Sequence, residues 1–313
     1  MKNRPTISDS QMSDFLTQHR MPPDFRVTAE KYYVPLAARL TTLRGSKRQL
    51  LLGINGAQGT GKSTLADFLK LAATSIFGWN VAVLSIDDFY YTRDERKRLA
   101  EEIHPLLMTR GVPGTHDTSL LARYLKQLRQ LGDDQSVALP RFDKASDDRA
   151  DTSRWPVIKG PVDLVILEGW CVGTVAQTDA ELALPVNALE RDEDADGRWR
   201  RYVNEQLKTT YQPIFAQLDF LVFLRAPSFA AILRWRLVQE EKLADSSPAD
   251  SSGLMSKDQI TRFIQFYERL TRANLATLPE IADVVFWLDE THAIIRQVVD
   301  RQRELTHTNA RNQ

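Results

Sequence analysis

The sequence predicts an α/β fold built on a mostly parallel sheet of about five strands flanked by helices. Three observations carry this expectation. Five short runs rich in Leu, Val and Ile lack the polar alternation of a one-sided strand, so they read as strands covered on both faces. Segments with apolar residues at helical spacing separate them, so strand and helix alternate along the chain. The first run leads into Gly56-Ala57-Gln58-Gly59-Thr60-Gly61-Lys62-Ser63, a glycine-rich turn that opens an amphipathic helix.

Taken in order, a helix pair over about Asp9 to Gln18 and Asp24 to Leu43 precedes the first strand and is expected to pack outside the sheet as an extension, residues 1–45, of a main domain 46–313. The strands are Gln49 to Ile54, Asn80 to Ile86, Val162 to Leu167, Asp219 to Leu224 and Asp283 to Leu288. The helices are Ser63 to Ile76, Thr118 to Leu131, Arg200 to Leu218, Ser228 to Leu243 and Lys257 to Leu278. Two stretches break the series. Asp133 to Gly160 carries Asp, Lys, Arg and Pro with little period and reads as a functional loop, part of an irregular segment over about 104–160. Thr174 to Arg198 ends in the acidic run Glu190 to Asp196 and is expected mostly at a solvated surface. Ala244 to Gly253, rich in Ser and Asp around Pro248, reads as a mobile loop between two helices.

Bulk properties narrow the function. The 313 residues are 42% hydrophobic and 26% charged, an ordinary globular composition. Forty-one basic side chains balance 41 acidic ones, so no overall positive field draws nucleic acid or an anionic membrane, and a charged ligand must be met by a local cluster. The lone Cys171, in an apolar run, is expected in the core. Residues 1–20 lack the apolar region of a secretory signal, and no stretch approaches the roughly 18 apolar residues of a spanning helix, so the chain reads as cytoplasmic.

The glycine-rich turn satisfies G-x-x-x-x-G-K-[ST] between a strand and a helix, the signature of the P-loop NTPase fold. Its glycines let successive N–H groups turn inward on phosphate oxygens, and the helix N-terminus adds partial positive charge. Lys62 supplies a mobile cation for the β and γ phosphates of ATP, the Ser63 hydroxyl is a hard oxygen ligand suited to Mg2+, and Thr64 is placed to cap the turn or touch the α phosphate. The absence of an N-K-x-D run speaks against guanine recognition.

Acids at strand ends add chemistry. The second strand runs into Asp87-Asp88-Phe89-Tyr90, and the carboxyl ends of parallel strands meet the ligand crevice. A carboxylate there can accept the proton of an attacking hydroxyl, although Asp is also favoured as a simple turn residue. The third strand ends in Glu168-Gly169-Trp170, where an acid can steer Mg2+ through water.

These motifs together resemble the D-glycerate 3-kinase family, within the phosphoribulokinase and uridine kinase group of P-loop kinases. The matching segments are Gly56 to Leu65, Leu84 to Tyr90, Arg110 to Asp117, Leu139 to Lys144 and Leu167 to Trp170, with further similarity at Trp199 to Leu207, Leu233 to Arg236 and Phe266 to Thr271. The resemblance implies transfer of the γ-phosphate of ATP to a hydroxyl of a small-molecule acceptor, D-glycerate first, with a nucleoside, pantothenate or another sugar acid as the alternative on the same fold. A nucleotide-gated binding protein without turnover is the alternative from another class, disfavoured because binding alone needs no base. By resemblance Asp87 is the catalytic base, Glu168 the magnesium-associated acid, and Asp88, Tyr90, Arg110, His116 and Asp117 belong to the acceptor side.

Several roles stay paired with plainer ones. Asp117 precedes a helix and is as good an N-cap as a grip for hydroxyls. An acceptor carboxylate needs a cation, and Arg110, Arg141, Lys144 and Arg149 are available, each able instead to pair with Asp143, Asp147, Asp148 or Asp151. The helix Ser228 to Leu243 resembles a lid over ATP, residues 227–255, in which Arg234 and Arg236 point to nearly opposite sides, so at most one faces the phosphates. Trp199 and Tyr202 read as packing.

Overall fold

A computed structural model describes residues 6–246, the last eight of these as backbone only, and 256–299. The main sheet has six strands: β1 Leu50–Gly56, β2 Val81–Ser85, β3 Leu164–Gly169, β4 Phe220–Arg225, β5 Val284–Leu288 and β6 Ile294–Val299. Their order is β6-β5-β4-β1-β3-β2, parallel throughout except for β6 against β5. The first five match the five apolar runs, and β1 is buried at every position, as a strand covered on both faces must be. The sixth escapes the apolar-run criterion because Ile294–Val299 is a half-exposed edge strand interrupted by Arg296 and Gln297.

Helices cover both faces. Successive strand residues point to opposite sides. Leu50, Leu52 and Ile54 of β1 therefore pack with α1 Asp9–Gln18, α2 Val34–Arg44 and α3 Lys62–Phe77. Leu51 of β1 and Phe223 of β4 instead join the core with α4 Thr118–Gln130, α5 Arg198–Gln206 and α7 Lys257–Thr277. The N-terminal helices are anchored on the helix that follows the phosphate loop. Phe15 meets Phe68 edge-on at 5.3 Å and Gln11 donates to the Ser75 hydroxyl at 2.9 Å. A π-helical turn at Ala29–Tyr33 joins Phe25–Thr28 to α2.

Four expectations change. The Asp133 to Gly160 stretch is not irregular: Ser136–Ala138 pairs with Val157–Lys159, and inside that ladder Phe142–Asp143 pairs with Asp148–Arg149. Strands of two and three residues are too short to show a period. The helix expected over Arg200 to Leu218 starts at Arg198 and passes through a π turn at Leu207–Tyr211. A helix at Arg93–Glu102 goes unread because its RDERKRLAEE run has almost no apolar face; Thr92 and Glu95 form a capping box at its start. The acidic run is mostly at the solvated surface, as expected, but with two exceptions. Glu190 and Asp194, a helical turn apart, are fully buried and paired with Arg269 at 2.6 Å and Arg200 at 2.9 Å, while their neighbours Asp192 and Glu193 stay exposed. The lid-like helix is α6, Phe229–Ser246; residues 247–255, most of the loop expected at Ala244 to Gly253, lie outside the described residues.

Candidate active site

The sheet order sets the site. β1 lies between β3 and β4, and β2 flanks β3, so the carboxyl ends of β1, β2 and β3 converge. In register, Glu168 of β3 stands between Ile54 of β1 and Ser85 of β2. The phosphate loop, the Asp87 turn and Glu168 are thus three consecutive strand ends, where parallel sheets place their ligands.

The loop Gly56 to Ser63 wraps the start of α3. Gly59 and Gly61 adopt φ of 82° and 87°, values an L side chain resists, so glycine there shapes the turn. Thr60 ties the loop by donating its hydroxyl to the Ala57 carbonyl at 2.8 Å, and Lys62 Nζ donates to the same carbonyl at 3.1 Å. Burial lowers the Lys62 pKa, opposed by the charges of Glu168 and Asp87. The Ser63 hydroxyl donates to Glu168 Oε1 at 3.1 Å, and Glu168 is itself buried. Thr64 sits in the first turn of α3, Ala57 is buried, and the Gln58 side-chain oxygen is buried without a hydrogen bond.

The two adjacent aspartates have separate environments. Asp87, at the end of β2, accepts from Tyr90 Oη at 2.8 Å and from Lys144 Nζ at 2.8 Å. Burial raises its pKa, but Lys144 and Tyr90 outweigh it and the net shift is downward. Asp88 accepts from the Phe142 N–H at 3.1 Å and from Arg141 at 3.1 Å, and burial dominates there, pushing its pKa up to about 6. Asp88 is therefore committed to holding the inner two-stranded ladder over the cleft.

On the acceptor side the Arg110 to Asp117 loop packs under that ladder. Arg110 pairs with Asp147, and its guanidinium lies 5.5 Å from the Phe142 ring centre. Asp117 caps α4, accepting from the Leu120 N–H at 2.8 Å, with Arg149 3.7 Å from its other oxygen. The N-cap reading of Asp117 is the one seen here: one oxygen serves the helix, while the other faces Arg149. His116 is buried, stacked on Tyr90 at 4.5 Å, with Nδ1 2.7 Å from Tyr211 Oη, and burial brings its pKa down to about 4.

Arg234 and Arg236 diverge on α6, as helix geometry requires. Arg234 pairs with Glu290 in the turn after β5, whereas Arg236 is half-buried on another side of the helix. Trp235 between them rests near Gly59 and stacks on His292 at 4.1 Å. Trp199 is buried against Phe266, 5.7 Å between ring centres, and Cys171 is fully buried, both in the core as expected.

Some residues shaping the cleft are not among those singled out from the sequence. Arg96, 1% exposed, donates to the carbonyls of Tyr91, Met108 and Asp147 and pairs with the Asp147 carboxylate, locking the tip of the inner ladder. Tyr267 reaches the Arg110 carbonyl at 3.4 Å, and Trp170 Nε1 donates to the Gly111 carbonyl at 3.0 Å. Arg96 hides in a charged helix, and nothing local marks it. Tyr267 lies in the Phe266 to Thr271 match, which flagged the segment without a role.

Among the described residues no helix is long and apolar enough to cross a membrane. No family model matches the chain. The chain is 36% identical over 227 residues to an uncharacterised kinase of Schizosaccharomyces pombe, mug58, a match spanning 70% of this chain and 79% of that protein. It is 28% identical over 239 residues to the chloroplastic D-glycerate 3-kinase of Arabidopsis thaliana, spanning 73% of this chain but only 48% of that one. Among solved structures, D-glycerate 3-kinase from Cryptococcus neoformans var. grubii superposes with a TM-score of 0.69 at 26% identity, covering 89% of this chain and 99% of the other. With the phosphate loop, the Asp87 turn and Glu168 converging as described, the chain belongs to the D-glycerate 3-kinase-like family of P-loop kinases.

Proposed function

We propose that this protein transfers the γ-phosphoryl group of ATP to a hydroxyl of D-glycerate, giving 3-phosphoglycerate. The observation that carries the reading is Asp87: an ionised carboxylate at a strand end, beside the phosphate loop and facing a ladder that carries Arg141 and Lys144. The acceptor oxygen bonds to the γ phosphorus, the bond from that phosphorus to the bridging oxygen of ADP breaks with its electrons, and the hydroxyl proton passes to Asp87. A carboxylate of low pKa suffices as base because the proton leaves late in a loose transition state.

Lys62 leaves the Ala57 carbonyl to meet the β and γ oxygens, and the loop N–H groups cradle them. The hydroxyl of Ser63 and the carboxylate of Glu168, 3.1 Å apart at the helix start, are the oxygen donors that would hold Mg2+ directly or through water. When bound, that ion neutralises charge on the phosphates. Arg236, on the side of α6 away from the Arg234–Glu290 pair, supports charge developing on the transferring group. Arg141, Lys144 and Arg149, at the edge of the cleft, fit an acid better than a neutral alcohol.

The test is turnover of purified protein with ATP, Mg2+ and D-glycerate, with product position read by NMR. Asp87→Asn should lower kcat at least about a hundredfold with little change in ATP binding. Equal turnover by the two proteins, or formation of 2-phosphoglycerate, would overturn the assignment.

A further inference from the structure

Lys144 stands at the head of the inner ladder's turn, with its surroundings held and its own side chain loose. The backbone before it is pinned by the Phe142 N–H and Arg141 on Asp88, and the turn after it by Arg96 and Arg110 on Asp147. Asp143 is held by Arg154 at 2.7 Å. The Lys144 side chain is 63% exposed, yet its ammonium lies 2.8 Å from Asp87 Oδ2, while Tyr90 occupies Oδ1. Both oxygens of the base thus already have a donor. The other charged or titratable groups acting at this point are Lys62 from the phosphate loop, Glu168 from β3, the buried Cys171 just after it, Asp88 and His116 from the acceptor side and Tyr267 from α7.

We infer that Lys144 is a specificity switch: with the acceptor site empty it holds Asp87, and an anionic acceptor draws it away, freeing the base only when a negatively charged substrate is present. The inference rests on the kinase reading above. A carboxylate with an ammonium on one oxygen and a phenol on the other is a poor proton acceptor, so water beside a bound ATP finds no active base. An acceptor carboxylate offers Lys144 a partner of the same charge and chemistry as Asp87, so the exchange leaves no cation unpaired. A neutral alcohol offers no such exchange, and Asp87 stays engaged. Discrimination then comes from a penalty on the wrong substrate as well as attraction for the right one. The fixed ladder and loose side chain suit this: only one flexible side chain has to move.

The experiment uses the full chain with Lys144→Met and Lys144→Arg. Acceptor-free ATP hydrolysis, kcat/KM for D-glycerate and for glycerol, which lacks the carboxylate, and the acid limb of the pH profile are measured. Lys144→Met is expected to raise acceptor-free hydrolysis, to narrow the D-glycerate to glycerol ratio about tenfold or more, and to move the Asp87 limb to higher pH. Lys144→Arg should keep the ratio near that of the parent. If Lys144→Met raises only KM for D-glycerate, with hydrolysis and acid limb unmoved, Lys144 is a simple clamp and the switch is wrong. If the parent protein phosphorylates neither alcohol, the acceptor reading fails, and the switch is still decided by hydrolysis and by 13C titration of the Asp87 carboxyl in the two proteins.

Discussion

At the scale of single residues, neighbours with the same side chain are separated by what surrounds them. Asp87 and Asp88 are adjacent, yet one is held below the usual carboxylate range by Lys144 and Tyr90 against the pull of burial, and the other is pushed up to about 6. Pairs driven apart in this way take different tasks. Asp87 remains charged, the state a base needs once Lys144 is drawn off it, and Asp88 anchors Arg141 and the Phe142 N–H. The two arginines of α6 divide similarly. Arg234 is engaged with Glu290 at the sheet edge, and Arg236 is half-buried on another side of the helix. Steady-state kinetics should therefore show Arg236→Ala lowering kcat by about a hundredfold, the size typical of one lost transition-state donor, and Arg234→Ala lowering it less than about threefold. The reverse ranking would place Arg234 on the phosphates. From sequence alone, helical spacing shows only that the two point apart; the outward one is identified by Glu290, 56 residues away, which no local pattern reveals.

At the scale of elements, the N-cap of helix α4 lets stability and a charge-dependent role be tested separately. Asp117 gives one oxygen to the Leu120 N–H and turns the other toward Arg149. Asparagine caps a helix nearly as well as aspartate but carries no charge. Asp117→Asn should leave the unfolding free energy within about 0.5 kcal/mol of the parent, whereas Asp117→Ala should lose about 1 kcal/mol. Both should raise KM for the acceptor, about tenfold, without changing KM for ATP, if the charge serves the substrate. Denaturant titration and kinetics on the same preparations separate the two effects. Elements with a strong local signal were readable in this way: the strand-loop-helix of the phosphate cradle, the buried strands and the cap at Asp117. The acceptor-side ladders were not, because Phe142–Asp143 and Asp148–Arg149 are two residues each and are held by distant side chains, Asp88 and Arg96, rather than by a period of their own. The charged residues of that stretch marked it as functional, but their partners are set by the fold.

At the scale of the whole molecule, buried polar groups tie together segments far apart in sequence. Glu190 with Arg269 and Asp194 with Arg200 tie α5 and α7 to the segment after β3. Reading the acidic run as mostly solvated holds for Asp192, Glu193 and Asp196 but misses Glu190, whose basic partner lies 79 residues further on, a separation that leaves no trace in a local window. His116 is likewise buried and makes the fold sensitive to acid. Its imidazole is packed between Tyr90 and Tyr211, and burial takes its pKa from 6.5 down to about 4. The unfolded chain thus binds this proton more readily than the folded one. The stability held by neutral His116 is complete above pH 6.5 and is lost as pH falls toward 4, by up to about 3 kcal/mol. His116→Phe keeps an aromatic ring against Tyr90 but gives up the contact with Tyr211, a pH-independent loss of about 1 kcal/mol. Unfolding free energies measured at several pH values between 4 and 7 should show a steeper fall for the parent than for the variant. Parallel curves offset by a constant would mean that His116 titrates alike in the folded and unfolded chains, and with it that burial between Tyr90 and Tyr211 does not hold the imidazole neutral.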